Sequence, residues 1–104
     1  MNINHQTISE MCADLGKDPL LVQGAGGNVS WKEDETLWIK GSGTWLANAL
    51  DENIFVPVYL RELQQALANG GFDAQPQTIG KQTLRPSIET ILHALMPHKV
   101  VAHL

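Results

Sequence analysis

Apolar residues recur along the chain with two different periods, and Gly, Pro and Asp punctuate them. Ile3, Ile8, Met11, Cys12 and Leu15 approximate one helical face and Gly16 is a stop, which predicts a first helix over residues 5–16. Asp18 and Pro19 break it, and the short apolar LLVQ leads into the loop GAGGN at 24–28. VSW and TLWIK, joined by the polar turn KEDE, predict a β-hairpin. GSGT at 41–44 is a second glycine loop, followed by WLANAL as a short helix ending near Asp51. IFVPV predicts a strand at an edge or terminal position, because Pro57 cannot donate to a ladder.

In YLRELQQALANGG, Leu60, Leu63 and Leu67 share one face and glycine closes the run, as in an amphipathic helix. Residues 72–82, rich in Gly, Gln, Pro and Asp, predict a surface loop. Pro86 fits the first position of a helix, and Ile88, Ile91, Leu92 and Leu95 predict its core-facing stripe. Pro97 ends that helix and KVVAHL predicts a buried strand. The order helix, hairpin, strand, helix, helix, strand argues for an α/β protein with a mixed sheet covered by helices.

With 104 residues the chain is one domain or part of one. A 43% hydrophobic and 17% charged composition is that of a soluble globular protein, and no apolar run approaches the ~18 residues of a membrane span. The N-terminal stretch MNINHQTISEMCADLG lacks the basic start, apolar core and cleavage site of a secretory signal, so a cytoplasmic location is expected. Seven scattered Lys and Arg residues in a chain of net charge −4 give no general attraction to nucleic acid. An anionic ligand would therefore need local recognition by backbone N–H groups and a few side chains. Cys12, alone, excludes an internal disulfide and reads as a small buried apolar residue.

GAGGN is neither of the familiar nucleotide loops. A Walker loop needs Lys and Ser/Thr after its last glycine, where Asn28 and Val29 stand. The dinucleotide fingerprint needs a glycine at 29 and should open a helix. What remains is either a tight hairpin-entry loop without a ligand or a nest of N–H groups for an anion, with the Asn28 amide as a further donor. GSGT repeats that chemistry around Ser42, and Ser87 stands at a third helix start, so small donors converge on a phosphate or carboxylate pocket. Glu89 has two readings. It is a surface carboxylate favoured in a first helical turn, with His93 one turn on, or it faces His103 as the start of a divalent metal site. Two ligands are too few for catalytic zinc, which usually takes three. His5 and His98 read as surface histidines, and the tryptophans at 31, 38 and 45 as core or subunit contacts, with Trp45 closest to a pocket.

The segments QGAGGNVSWK, LWIKGSGT and RPSIETILHALMPHKVVAHL, in that order and spacing, resemble the amino-terminal half of the class II aldolase and adducin family. The flavour is that of the bacterial sugar-phosphate aldolase-like branch, including aldolase domains fused to a short-chain dehydrogenase. The resemblance covers essentially all 104 residues and implies one amino-terminal part, residues 1–104, of a single domain. It implies a three-layer α/β/α fold around a mostly antiparallel sheet, truncated at the C-terminus, with an exposed edge at residues 99–104.

The resemblance further implies that Gly27, Asn28, Ser42, Gly43 and Ser87 bind a substrate phosphate, and that Glu89 is the catalytic acid/base and a metal ligand. Some relatives carry a second donor just before the acid, where this chain has Ile88. His103 matches the first histidine of an H-x-H pair that, with a later third histidine, holds Zn2+ or another divalent metal in the family. The chain given ends between those two ligands, so weak zinc binding and no turnover are expected of it alone. The implied activity is retro-aldol cleavage of a small phosphorylated sugar or related hydroxy-ketone. The alternative is a non-catalytic adducin-like or phosphate-binding module. Homo-oligomers are implied, a tetramer in the family and a dimer or undefined assembly for this piece, with no nucleic acid or membrane partner.

Overall fold

The computed structural model describes residues 5–71 and 74–104. Ile3 of the first helical face, and Phe72 at the start of the Gly/Gln/Pro loop, lie outside the described residues. Helix α1 spans His5–Gly16, and strands β1 (Asn28–Glu33) and β2 (Thr36–Lys40) form the hairpin. The turn between them places Asp34 at φ 53°, a left-handed conformation that Asp tolerates. WLANAL forms only a short 3₁₀ turn, Leu46–Asn48. Strand β3 (Phe55–Tyr59) runs directly into helix α2 (Leu60–Ala68), and helix α3 (Thr90–Leu95) precedes β4 (Val100–His103).

The four strands form one sheet in the order β3-β2-β1-β4, and every neighbouring pair is antiparallel. The element order alone suggested a mixed sheet, and the described strands form an antiparallel one. Pro57 sits on an edge strand, as its missing N–H requires. The following loop lies along that edge, with Tyr59 N–H donating to Gln77 O and Ile79 N–H to Pro57 O, both at 3.0 Å.

Strand alternation divides the core between the two faces. Ile8, Cys12, Val29, Trp31, Leu46 and Phe55 pack on one side, where α1 and the 3₁₀ turn lie. Leu37, Ile39, Val58, Leu60, Leu63, Leu67 and Ala94 pack on the other, under α2 and α3. Trp31 is buried and stacks on Trp38, with centroids 5.7 Å apart and planes 9° from parallel. His5 is exposed, as expected, yet its ring also packs against Trp31 and Phe55. Cys12 is fully buried, and burial pushes its thiol up to about 12.

The last helix departs from its sequence pattern. It begins at Thr90, not at Pro86, because residues 85–87 run alongside the end of β2. Ser42 N–H donates to Arg85 O at 2.8 Å, and Ser87 N–H to Lys40 O at 3.1 Å. Glu89 is consequently the N-cap residue. The buried side of α3 is Thr90, His93 and Ala94, whereas Ile88 is 94% exposed and Leu92 and Leu95 also face outward. Only Ile91 of the expected stripe packs on the core.

Candidate functional site

The rotation of α3 follows from what β1 presents to it. Alternate residues of a strand share a face, and Asn28, Ser30 and Lys32 are the polar set on the side opposite Val29 and Trp31. Two strand residues advance about 6.8 Å and one helical turn about 5.4 Å, so rungs at i, i+2 in β1 can meet side chains at i, i+4 in α3. Asn28 Nδ2 donates to Glu89 Oε2. Ser30 Oγ and His93 Nδ1 are 2.6 Å apart and hydrogen-bonded. Lys32 Nζ donates to Met96 O at 2.7 Å and His98 O at 2.6 Å, closing the far end of the helix. A polar ladder of three rungs therefore orients α3, and it outweighs the outward-facing leucines.

Strand β4 brings in His103. Asn28 and His103 are directly paired across β1 and β4, so both side chains emerge together. His103 Nδ1 lies 3.2 Å from Glu89 Oε1, and the Glu89 carboxylate is thus held between a strand pair. Glu89, His93 and His103 each offer a ligand-type atom within 4.8 Å of the others. His93 has no solvent exposure, and burial, its main influence, lowers its pKa and keeps the imidazole neutral, the form that binds a metal.

The residues fit a divalent cation on independent grounds. Three buried side-chain atoms lack a partner among the described residues, and two of them, His93 Nε2 and Asn28 Oδ1, belong to this site. His93 Nε2 can act as a ligand when Nδ1–H donates to Ser30 Oγ, the outer hydrogen bond that metal-binding histidines usually make. His93 is the residue that sequence reasoning left aside as a pairing partner of Glu89. Its signal was the alternation Asn28, Ser30, Lys32 inside an otherwise apolar strand, which demands buried polar partners.

The glycine loops meet the same carboxylate. Gly27, Asn28, Lys40, Ser42, Gly43, Ser87 and Glu89 line one cavity of about 330 Å³. All five residues expected to bind phosphate are brought to it, together with the expected acid. Ser87 is buried and its Oγ accepts from Glu89 N–H at 3.2 Å, while Ser42 and Gly43 are exposed at the rim. Gly27 needs to be glycine twice over: φ is 79°, and a Cβ would stand 3.1 Å from Leu46 Cδ1. Trp45 is half exposed beside Gly24 and does not line the cavity.

An antiparallel sheet with helices on both faces, two glycine loops and a helix-cap glutamate beside histidines define a class II aldolase-type domain. The sequence matches the Class II Aldolase and Adducin N-terminal domain over residues 6–104, and the chain belongs to that family. A curated relative, "Uncharacterized oxidoreductase YuxG" of Bacillus subtilis, is 31% identical over 105 residues, covering 86% of this chain. The chain spans 15% of that relative's length. A solved structure, the N-terminal class II aldolase domain of a conserved protein from Thermoplasma acidophilum, shares the fold. It matches with a TM-score of 0.78 at 24% identity, over 99% of this chain and 55% of that one. No helix among the described residues is long and apolar enough to cross a membrane.

Proposed function

We propose that this chain supplies the acid/base, the phosphate-binding loops and part of the divalent-metal site of a class II aldolase-type lyase. Its substrate on this reading is a small phosphorylated sugar or related hydroxy-ketone. The observation that carries the proposal is the double placement of Glu89, which lines the loop cavity and also lies beside both histidines. Glu89, His93 and His103 would hold the cation, zinc or another divalent ion, which when bound polarises a substrate carbonyl as a Lewis acid. Asn28 donates to Oε2 and His103 Nδ1 lies beside Oε1, and together they orient the carboxylate assigned to taking and returning the substrate's proton. Ser42, Ser87 and the glycine backbones hold the phosphate end. A homo-oligomer belongs to the same reading, supported by the exposed apolar Ile88, Leu92 and Leu95.

Zinc titration of the chain by calorimetry tests the metal assignment. One-to-one binding, lost in His93→Ala and weakened in Glu89→Gln, is expected. A chain that takes up no zinc, or a His93→Ala variant that binds it unchanged, overturns it. In a longer chain that also carries the later metal-ligand histidines the resemblance implies, aldehyde release from a panel of ketose phosphates, lost in Glu89→Gln, checks the reaction. Phosphate and zinc binding without cleavage would support the non-catalytic binding module instead.

A further inference from the structure

A second and larger cavity, of about 600 Å³, lies between the loop after α2 and the segment that leads into α3. Ala74 and Pro76 line it from the loop, and Pro86, Ile88 and Ile91 from the segment and the helix. Gln75 and Ser87 add neutral polar groups, and Arg85 is the one charged residue of the lining among the described residues. The Arg85 side chain is exposed and belongs to neither ion pair found among the described residues, which join Arg61 to Glu35 and His103 to Glu89.

Both walls are held in place by the backbone. Arg85 O accepts from Ser42 N–H at 2.8 Å, Pro86 bridges to Gly41, and Ser87 N–H donates to Lys40 O at 3.1 Å, which pins the segment to the end of β2. The opposite loop is fastened to β3 by Tyr59 N–H on Gln77 O and by the bridge between Val58 and Thr78. Proline at 76 and at 86 restricts φ on either side. A preformed, mostly apolar cavity with one well-placed polar group is the usual form of a small-molecule site. Its apolar lining continues, because a smaller cavity of about 210 Å³ shares Ala74 and Gln75 and reaches Leu63 and Ala66 of α2.

We propose that this cavity binds an amphipathic monocarboxylate, with the carboxylate on the Arg85 guanidinium and the hydrocarbon tail along Pro86, Ile88 and Ile91 toward Ala74. The planar fork of arginine matches a carboxylate, and a tail gains by taking apolar surface out of water. A sugar phosphate, polar along its whole length, would leave the isoleucine and proline walls wet. The ligand is therefore of another class than the one assigned to the loop cavity, and the cavity beyond Ala74 and Gln75 gives a longer tail room to extend.

The test is calorimetric titration of the chain with butanoate, hexanoate and octanoate, the last kept below its micelle concentration. One-to-one binding is expected, tighter by about fourfold for each further methylene that is buried. Arg85→Gln changes an exposed side chain and keeps the carbonyl that Ser42 uses, so it should show the wild-type circular dichroism. It should bind octanoate about fivefold more weakly, the upper range for an exposed ion pair. Equal octanoate affinity in wild type and a folded Arg85→Gln overturns the assignment of the head group. The chain-length series needs no variant: no gain from butanoate to octanoate, or no saturable octanoate binding, overturns the site itself.

Discussion

Replacing Ser30 by alanine removes the hydroxyl that meets His93 Nδ1 at 2.6 Å, between residues 1% and 0% exposed. His93 Nε2 already lacks a partner, so the variant buries an imidazole with neither nitrogen satisfied. Leaving such a group unpaired costs about 1–3 kcal/mol. For a chain of this length that lowers the thermal midpoint by about 4–8 °C per kcal/mol. Much of the loss is the penalty on the abandoned ring, so it should shrink when the ring is also removed. A double-mutant cycle of Ser30→Ala with His93→Ala should therefore show a coupling of about 1–2 kcal/mol. Urea unfolding followed by tryptophan fluorescence reads it, because Trp31 lies in β1 beside Ser30. The same hydrogen bond orients the proposed ligand nitrogen, so Ser30→Ala should also weaken zinc binding by about tenfold to a hundredfold. Zero coupling at unchanged denaturant slope, together with wild-type zinc affinity, would refute the ladder as the device that positions His93.

Gly27→Ala should destabilise more than Gly43→Ala: both have φ near 80°, but only at Gly27 does the added methyl crowd Leu46, whereas at Gly43 nothing lies within 4 Å. The conformational penalty of about 1–2 kcal/mol is common to both, and overpacking adds about 1–3 kcal/mol at Gly27, so equal midpoints would contradict the geometry. The pH dependence of stability has two limbs of opposite origin. His93 has a folded pKa below its ordinary 6.5, so the unfolded chain protonates first and stability is lost as pH falls below about 6.5, a limb that should flatten in His93→Gln. Cys12 is raised from 9.0 to about 12, so the unfolded chain ionises first and stability is lost as pH rises above 9.0. Lys32 and Lys40, whose pKa values are lowered, act in the opposite sense in the alkaline range, so the difference between wild type and Cys12→Ala isolates the thiol.

The elements whose partner is simply the apolar core were legible from periodicity. Helix α2 buries Leu60, Leu63 and Leu67, and α1 buries Ile8 and Cys12, as their spacing requires. Pro57 found its edge for a reason contained in one residue. Helix α3 was misread because its strongest apolar stripe competes with polar partners that a hydrophobic count cannot see. Three hydrogen-bonded rungs to β1 turn Thr90 and His93 inward and leave Ile88 outside. The gathering of Gly27, Asn28, Ser42, Gly43, Ser87 and Glu89 at one cavity was expected from the sequence, because small donors at loop ends and an acid near a helix start can converge on one anion. His93 was not, because it stands in an apolar run and declares its place only through Ser30, 63 residues away in sequence.

That distance matters for how the site comes into being. Asn28 and Ser30 are 61 and 63 residues from Glu89 and His93. Contacts of such separation reward the chain only after the intervening loop has closed, and they belong late on the route to the native state. The polar ladder has no local precursor: neither the hairpin nor α3 can rehearse it alone. A ligand held there would report complete folding, and it would act by slowing the loss of the native state, leaving the speed of its formation nearly unchanged.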